Sequence, residues 1–512
     1  MENCYGQIVD GYIDKTSYSP NEKVKLFLNY KQKASENIRV FDASGNLYMT
    51  FQSHVFPQKN TNSQSWKNSY NYKLTCEIDL IYFKPGFYQI EKMINFIVKS
   101  DEVKRKITIV YPSNTINAYS NSGGKSLYKY NSSLNVSDSV ISFLRPMNTK
   151  NSNGTSSNFN SDLFLGIYKW FNENLLINNW TNYICDQDLD DKQVLNHTEL
   201  LVIVGHSEYW TRTARRNFDE FIMNGKNALV MSGNTMWWQV RYKNNQQQLV
   251  CYKSYLDPIQ FDTLKSIEWF KEELNYPIES STGLNFNYGG YGMKKDKGWD
   301  GFKVVNANHP IFKETSLENG SIIPCPSIEY DGFLFTGFSK DSIPIVDTSF
   351  LNKFYSYKLL GFDRAIRNDN LNETVGAMVI TQKNKYSGKV IHIGSTNWCD
   401  LSNFYGVNKS LFQTITKNCL SFLLPDLPII ESFVHNKPVF FPNPCNKTIF
   451  LNQTDYKIVK IEVINQSGQA VQISNISNAD YYFNFTTDLK GFFFLRIELL
   501  DGTILNEKIM LN

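Results

Sequence analysis

No stretch of this chain approaches the length of a membrane-spanning helix, no CxxC pair occurs, and neither sign of charge dominates. The first absence excludes a helical membrane span. The eight cysteines, at positions 4, 76, 185, 251, 325, 399, 419 and 445, lie far apart and offer no zinc-ligand spacing. They leave disulfide pairing open. With 52 basic and 49 acidic residues the net charge is only +3, which gives no reason to expect a nucleic-acid partner. The opening MENCYGQIVDGY has no charged stretch leading into an apolar run, so no secretory signal is visible. A phosphate-binding loop is missing too: Gly124, Lys125 and Ser126 read GKS, but Tyr119 stands where the motif needs its first glycine.

What is present is a globular composition, 42% hydrophobic and 15% aromatic over 512 residues, long enough for two to four domains. The most informative stretch is 200 to 242. Its apolar run Leu200 to Val204 predicts a buried strand that breaks at Gly205 into a turn with His206, Ser207 and Glu208. Ala214, Phe218, Phe221 and Ile222 fall on one helical face, and Gly225 suits the helix C-terminus. A second strand, Ala228 to Met231, ends at Ser232, Gly233 and Asn234. Such a βαβ unit has parallel strands, so His206, Glu208 and Asn234 should leave the same edge of the sheet, where open α/β sheets bind ligands. A carboxylate, an imidazole and a carboxamide on one rim suit acid/base or metal chemistry; ordinary turn formation by Asn and His is the competing reading.

The remaining chain falls into blocks. Short apolar runs separated by turns predict an N-terminal β-sandwich over 1–105. An α/β domain is expected over 106–424, opening with the strand Lys106 to Tyr111 and a long polar loop that carries Tyr119, Tyr128 and Tyr130. In a chain with 30 tyrosines each of these is read first as packing. Residues 147–161 are expected as a surface loop. Asn287 to Gly292, NYGGYG, is expected as a Gly/Tyr loop, and Glu329 and Asp331 of SIEYDG as solvated acids near a turn. The strands Gly376 to Ile380 and Lys389 to Ile393 follow, then the helix Phe412 to Leu423. A proline-bearing linker over 425–436 leads to a small all-β module over 437–512.

The segments NAYSNSGGKSLY (117–128), GHSEYW (205–210), SGNTMWW (232–238) and VIHIGSTNW (390–398) together resemble the large-subunit family of N,N-dimethylformamidase. The resemblance covers most of 8–423. It implies an α/β domain related to class I glutamine amidotransferases, and hydrolysis of simple amides at a mononuclear iron held by two tyrosines and a glutamate. On these positions Glu208 matches the metal-binding glutamate, His206 an active-site histidine and Asn234 a retained asparagine. Tyr119 and Tyr128 are assigned as the two tyrosines, and Glu329 as a further acid in the site. The elbow that carries a nucleophilic cysteine in related amidotransferases holds Asn234 here, which argues against thiol catalysis.

The C-terminal block, with PNPCNKTIFL at 442–451 and LKGFFFLRIELLDGTILNEKIML at 489–511, resembles the type A sorting domain of the Bacteroidetes type IX secretion system. That implies a secreted or outer-surface protein and contact with the secretion machinery. The combined expectation is a secreted amidohydrolase with Fe(III) on Tyr119, Tyr128 and Glu208, catalytic His206, Asn234 and Glu329, and a small or surface-derived amide as substrate. A small partner subunit or a homo-oligomer is the further association it admits. The alternative is a non-catalytic cell-surface binding or adhesion protein whose amidase-like pocket holds a glycan or peptide. One geometric condition separates them: the Tyr119, Tyr128 and Glu208 oxygens must converge.

Overall fold

The computed structural model describes residues 8–147, 162–292, 299–369, 372–426, 440–441, 448–451, 458–475, 482–485, 489–499 and 504–511. The expected surface loop, apart from Met147, and nearly all of the expected linker lie outside the described residues. The chain divides into two compact units, Met1–Pro428 and Ile429–Asn512.

The first unit opens with two facing β-sheets. Lys23–Tyr30 buries every second residue, including Val24, Leu26 and Leu28, as a strand with one wet face must. It pairs with Ile8–Ile13 and Cys76–Asp79. The other sheet has the order Ser17–Tyr18, Ile94–Val98, Gly86–Ile90, Ala34–Asp42, Leu47–Val55. Val24, Leu26, Ile38, Val40, Tyr88 and Phe96 fill the space between them.

A larger mixed sheet follows. Its first five strands, Thr181–Cys185, Ile107–Tyr111, Leu200–His206, Asn227–Gly233 and Lys389–Ile393, are parallel. Ile107–Tyr111, Thr181–Cys185 and Leu200–His206 are buried at every position, because both of their faces are covered. Antiparallel strands Glu373–Gln382, Ser356–Ile366, Asn285–Gly292 and Glu329–Gly332 continue the sheet. The connection from Leu200–His206 to Asn227–Gly233 contains the helix Arg212–Met223, whose Ala214, Phe218, Phe221 and Ile222 are buried as their spacing predicts. Lys409–Leu423 is the last described helix of this unit.

Three local expectations are corrected. The segment after Tyr111 is not a loop throughout but contains the helix Ser113–Tyr119. Its serine, threonine and asparagines are poor helix formers, and tertiary bonds override them: the Asn114 backbone N–H donates to Asp186, and its side chain donates to the Tyr209 carbonyl at 3.0 Å. NYGGYG belongs to the strand Asn285–Gly292. Glu329 and Asp331 are buried in the strand Glu329–Gly332, Asp331 completely, and are not solvated.

The described residues of the second unit form two sheets. Ala470–Asn475, a strand with no clear apolar run, pairs with Ile458–Ile464, followed in order by Gly491–Leu499 and Ile504–Leu511. Phe440–Phe441, Thr448–Leu451 and Tyr482–Asn484 form the other. Ile461, Val463, Leu495, Ile497 and Ile509 make its core.

One buried acid makes stability depend on pH. Asp186 follows the strand Thr181–Cys185, and burial pushes its carboxyl up to about 8, against the lowering effect of the Asn114 N–H. A carboxyl raised on folding costs nothing below its unfolded value of about 4, and the cost grows until the folded value is passed. Asp186→Asn keeps an oxygen for the Asn114 N–H and carries no charge. Its thermal midpoint should match the parent near pH 4 and exceed it progressively toward pH 8, by the equivalent of a few kcal/mol. A difference that does not change with pH would remove the buried charge as its cause.

Candidate functional site

The parallel strands deliver their ends to one rim. Leu200–His206 ends on His206 itself, and Glu208 follows in a short link before the strand Tyr209–Thr211. The Glu208 backbone N–H donates to Thr115 Oγ1 at 2.9 Å, which ties the link to the Ser113–Tyr119 helix. Tyr119 ends that helix, and Tyr128 returns on the loop beyond it. Arg145 fastens this loop. Its guanidinium, wholly buried, donates to the carbonyls of Asn117, Ser122, Lys125 and Ser142 and to Asn117 Oδ1.

The result is a cluster of oxygens. Tyr128 Oη lies 2.9 Å from Tyr119 Oη and 2.8 and 2.9 Å from the two Glu208 oxygens. Tyr209 Oη donates to Tyr128 at 2.6 Å, and Trp238 Nε1 donates to Glu208 Oε1 at 2.9 Å. One phenolic proton on Tyr128 cannot serve three acceptors, so oxygen lone pairs outnumber donors there. Burial, then the Glu208 charge, pushes the Tyr119 and Tyr128 phenols well above their usual range. Burial likewise raises Glu208, against the lowering influence of His206 and Lys253.

His206 bridges this cluster to a second carboxylate. Its Nε2 is 3.5 Å from Glu208 Oε2 and 3.1 Å from Glu329 Oε2. Burial disfavours the imidazolium, but Glu329 and Glu208 outweigh it, and the net shift is upward. Asn234, in the left-handed region at φ 49°, donates from Nδ2 to Glu329 Oε2 at 3.2 Å. Its buried Oδ1 has no partner among the described residues. Beneath this turn the Thr235 N–H donates to Asp331 Oδ2 at 3.1 Å, and Asp331 pairs with His392 at 3.2 Å. Both are fully buried, so the turn rests on a rigid base.

All six residues singled out from the sequence, Tyr119, Tyr128, His206, Glu208, Asn234 and Glu329, therefore meet in one place. Tyr209, Trp238, Lys253, Asp331 and His392 were not anticipated. The first two stand beside Glu208 and within SGNTMWW, so alternation along those strands could have suggested them. Lys253 had no signal. Its ammonium sits 3.3 Å from the Tyr128 ring centroid and 4.7 Å from Trp238, and burial pushes it down to about 8. Among the described residues no trio of His, Cys, Asp and Glu is arranged to hold a metal, so a cation site here depends on the tyrosine oxygens. The six described cysteines are free.

No curated protein matches the chain. Among solved structures, a calcium-binding mutant of beta-glucuronidase 2 from Bacteroides uniformis is 9% identical, with 99% of this chain and 62% of that one covered, and a TM-score of 0.13. That likeness carries no argument. Residues 439–512 match the secretion system C-terminal sorting domain, which assigns the protein to the type IX machinery and to secretion or the cell surface. No described helix is long and apolar enough to cross a membrane. Residues 28–405, which hold every residue of the cluster, match the model of the N,N-dimethylformamidase beta subunit-like, C-terminal family, and the chain belongs to that family.

Proposed function

We propose that this protein is a secreted or surface-held amidohydrolase that cleaves the C–N bond of a small or surface-derived amide with the help of ferric iron. The observation that carries the reading is the convergence of the Tyr119, Tyr128 and Glu208 oxygens, with Tyr128 Oη within 2.9 Å of the other three. Hard, anionic oxygen donors suit Fe(III) better than zinc. Phenols this deeply buried ionise at neutral pH only beside a strong Lewis acid, so the donor set fits such an ion and has little use without one. Ferric iron held there supplies Lewis acidity toward an amide carbonyl and toward water.

The protein groups do the rest. His206, between Glu208 and Glu329, accepts the proton of the attacking water, and Glu329 stabilises the imidazolium so formed. As the C–N bond breaks, the proton passes to the departing nitrogen, giving a carboxylic acid and an amine. Asn234 Oδ1, left open because Nδ2 is engaged with Glu329, accepts the N–H that forms on that nitrogen. Trp238 and Tyr209 hold Glu208 and Tyr128 in place. Lys253 offsets part of the negative charge.

The test is metal analysis with a visible spectrum, comparing the parent with Glu208→Ala. Near-stoichiometric iron and a phenolate-to-iron charge-transfer band are expected in the parent, and both should vanish in the variant. Protein that stays colourless and iron-free after reconstitution would end the hydrolase reading in favour of a non-catalytic binding protein.

A further inference from the structure

A second site lies away from the oxygen cluster. A cavity of about 690 Å³, within the range of small-ligand sites, is bounded by the N-terminal sheets and the strand end at Tyr111 and Ser113; none of the six cluster residues lines it. Most of its charged groups are already engaged. Lys99 pairs with Asp188 at 2.9 Å and Lys15 with Glu22 at 2.5 Å. Asp14 accepts from Tyr18 and from the Lys25 N–H, Lys92 lies over the Phe41 ring, and Arg145 is saturated by carbonyls. Of the seven charged side chains in the lining, four are joined in these two ion pairs and the Arg145 N–H groups are all engaged, which leaves one anion, Asp14, and one cation, Lys92, without an oppositely charged partner among the described residues and no cluster of either sign.

What the lining offers is carboxamide. Gln89, Asn95, Gln187, Asn245, Gln246 and Gln247 all face the cavity. Gln89 donates to Asn95, and the Gln187 and Gln246 amides each donate to the other residue's carbonyl, so this wall is braced. The exposed Asn245 and Gln247 make no side-chain hydrogen bond among the described residues, and Ser113 contributes a buried hydroxyl that also has none. A carboxamide presents a donor and an acceptor side by side, which matches the paired donor and acceptor of adjacent hydroxyls. Charge that is mostly engaged, with no cluster of one sign, and amides that are partly open favour a neutral polyhydroxylated ligand.

From this we infer that the cavity beside the N-terminal sheets is a binding site for a neutral oligosaccharide, separate from the amide-cleaving site. Such a site would hold a secreted or surface protein against a glycan whatever chemistry the oxygen cluster performs.

The inference is tested on the full chain by affinity electrophoresis in gels cast with neutral polysaccharides (mannan, xylan, laminarin and dextran) and with polygalacturonate as the anionic counterpart. Two variants leave the oxygen cluster intact: Ser19→Trp, which puts an indole on the cavity wall, and Gln89→Ala combined with Gln247→Ala. Retardation of the parent by at least one neutral polysaccharide is expected, weakened about tenfold or more in both variants, with iron content unchanged. Three results would each overturn it: no retardation by any neutral polymer, retardation by polygalacturonate alone, or retardation that both variants retain. Iron content is read in the same samples, so failure here and failure of the hydrolase reading remain distinguishable.

Discussion

Arg145→Met should cost at least about 4 kcal/mol of stability and abolish iron binding in whatever fraction still folds. The arginine is completely buried with no carboxylate beside it, and burial pulls its pKa down to about 9, so at neutral pH it still carries its charge. That charge is neutralised by oxygen dipoles: the carbonyls of Asn117, Ser122, Lys125 and Ser142 and the side chain of Asn117. Each buried acceptor left unsatisfied costs about 1–3 kcal/mol, and the methionine takes a donor from five of them, of which the Asn117 carbonyl keeps the Ser120 N–H. Arg145→Lys separates fold from position. A lysine keeps the charge but cannot reproduce the planar fork that spans both arms of the loop. It should fold with a reduced denaturation midpoint and show a weakened, shifted charge-transfer band, because Tyr119 and Tyr128 sit on the two arms. A lysine variant with an unaltered spectrum would show that the fork does not set the distance between the phenols.

The part of this site that could be read from the sequence is the part built from contiguous chain. A strand, a polar turn, a helix and a second strand lie within 43 residues, and the geometry of parallel strands places His206, Glu208 and Asn234 on one rim. Glu329 was harder, because its neighbourhood comes from an antiparallel strand entering the sheet about 95 residues after Asn234. An acid in a short polar stretch looks solvated until its tertiary partners are known. Asn285–Gly292 defeated a propensity reading for a related reason. Glycines weaken strands, yet side chains at Gly289 and Gly290 would strike the Tyr330 and Ile366 carbonyls at 2.0 and 2.1 Å, so the neighbouring strands require their absence. The helix Ser113–Tyr119 was hidden because hydrogen bonds from distant residues hold it, among them those to Asp186, Tyr209 and Arg145. Lys253 reaches Tyr128 from a region with no motif at all.

Gly233→Ala should leave iron in place and lower turnover by about a hundredfold. A Cβ on Gly233 would lie 2.5 Å from the Glu329 carbonyl, 2.6 Å from the Thr396 nitrogen and 2.9 Å from the Ser395 carbonyl carbon. These are backbone atoms of neighbouring segments, so no rotamer change relieves the clash, and the Glu329 strand has to move. Overpacking of this kind costs about 1–3 kcal/mol, small enough for the protein to fold. The displacement falls on one side of the site only. His206 to Glu329, now 3.1 Å, and Asn234 to Glu329, now 3.2 Å, would both lengthen. Tyr119, Tyr128 and Glu208 are held through Thr115, Arg145, Tyr209 and Trp238, none of which supplies the three atoms nearest the new methyl group. Metal retention with loss of turnover would therefore assign proton transfer to the His206–Glu329 side, the reverse of the Glu208→Ala result. Gly45→Ala is the control: its φ of +81° makes alanine strained, but the added Cβ meets nothing within 4 Å, so about 1–2 kcal/mol should be lost with turnover intact. Full turnover in Gly233→Ala with a normal spectrum would mean that Glu329 does not take part in the chemistry, and His206 would then have to work with Glu208 alone.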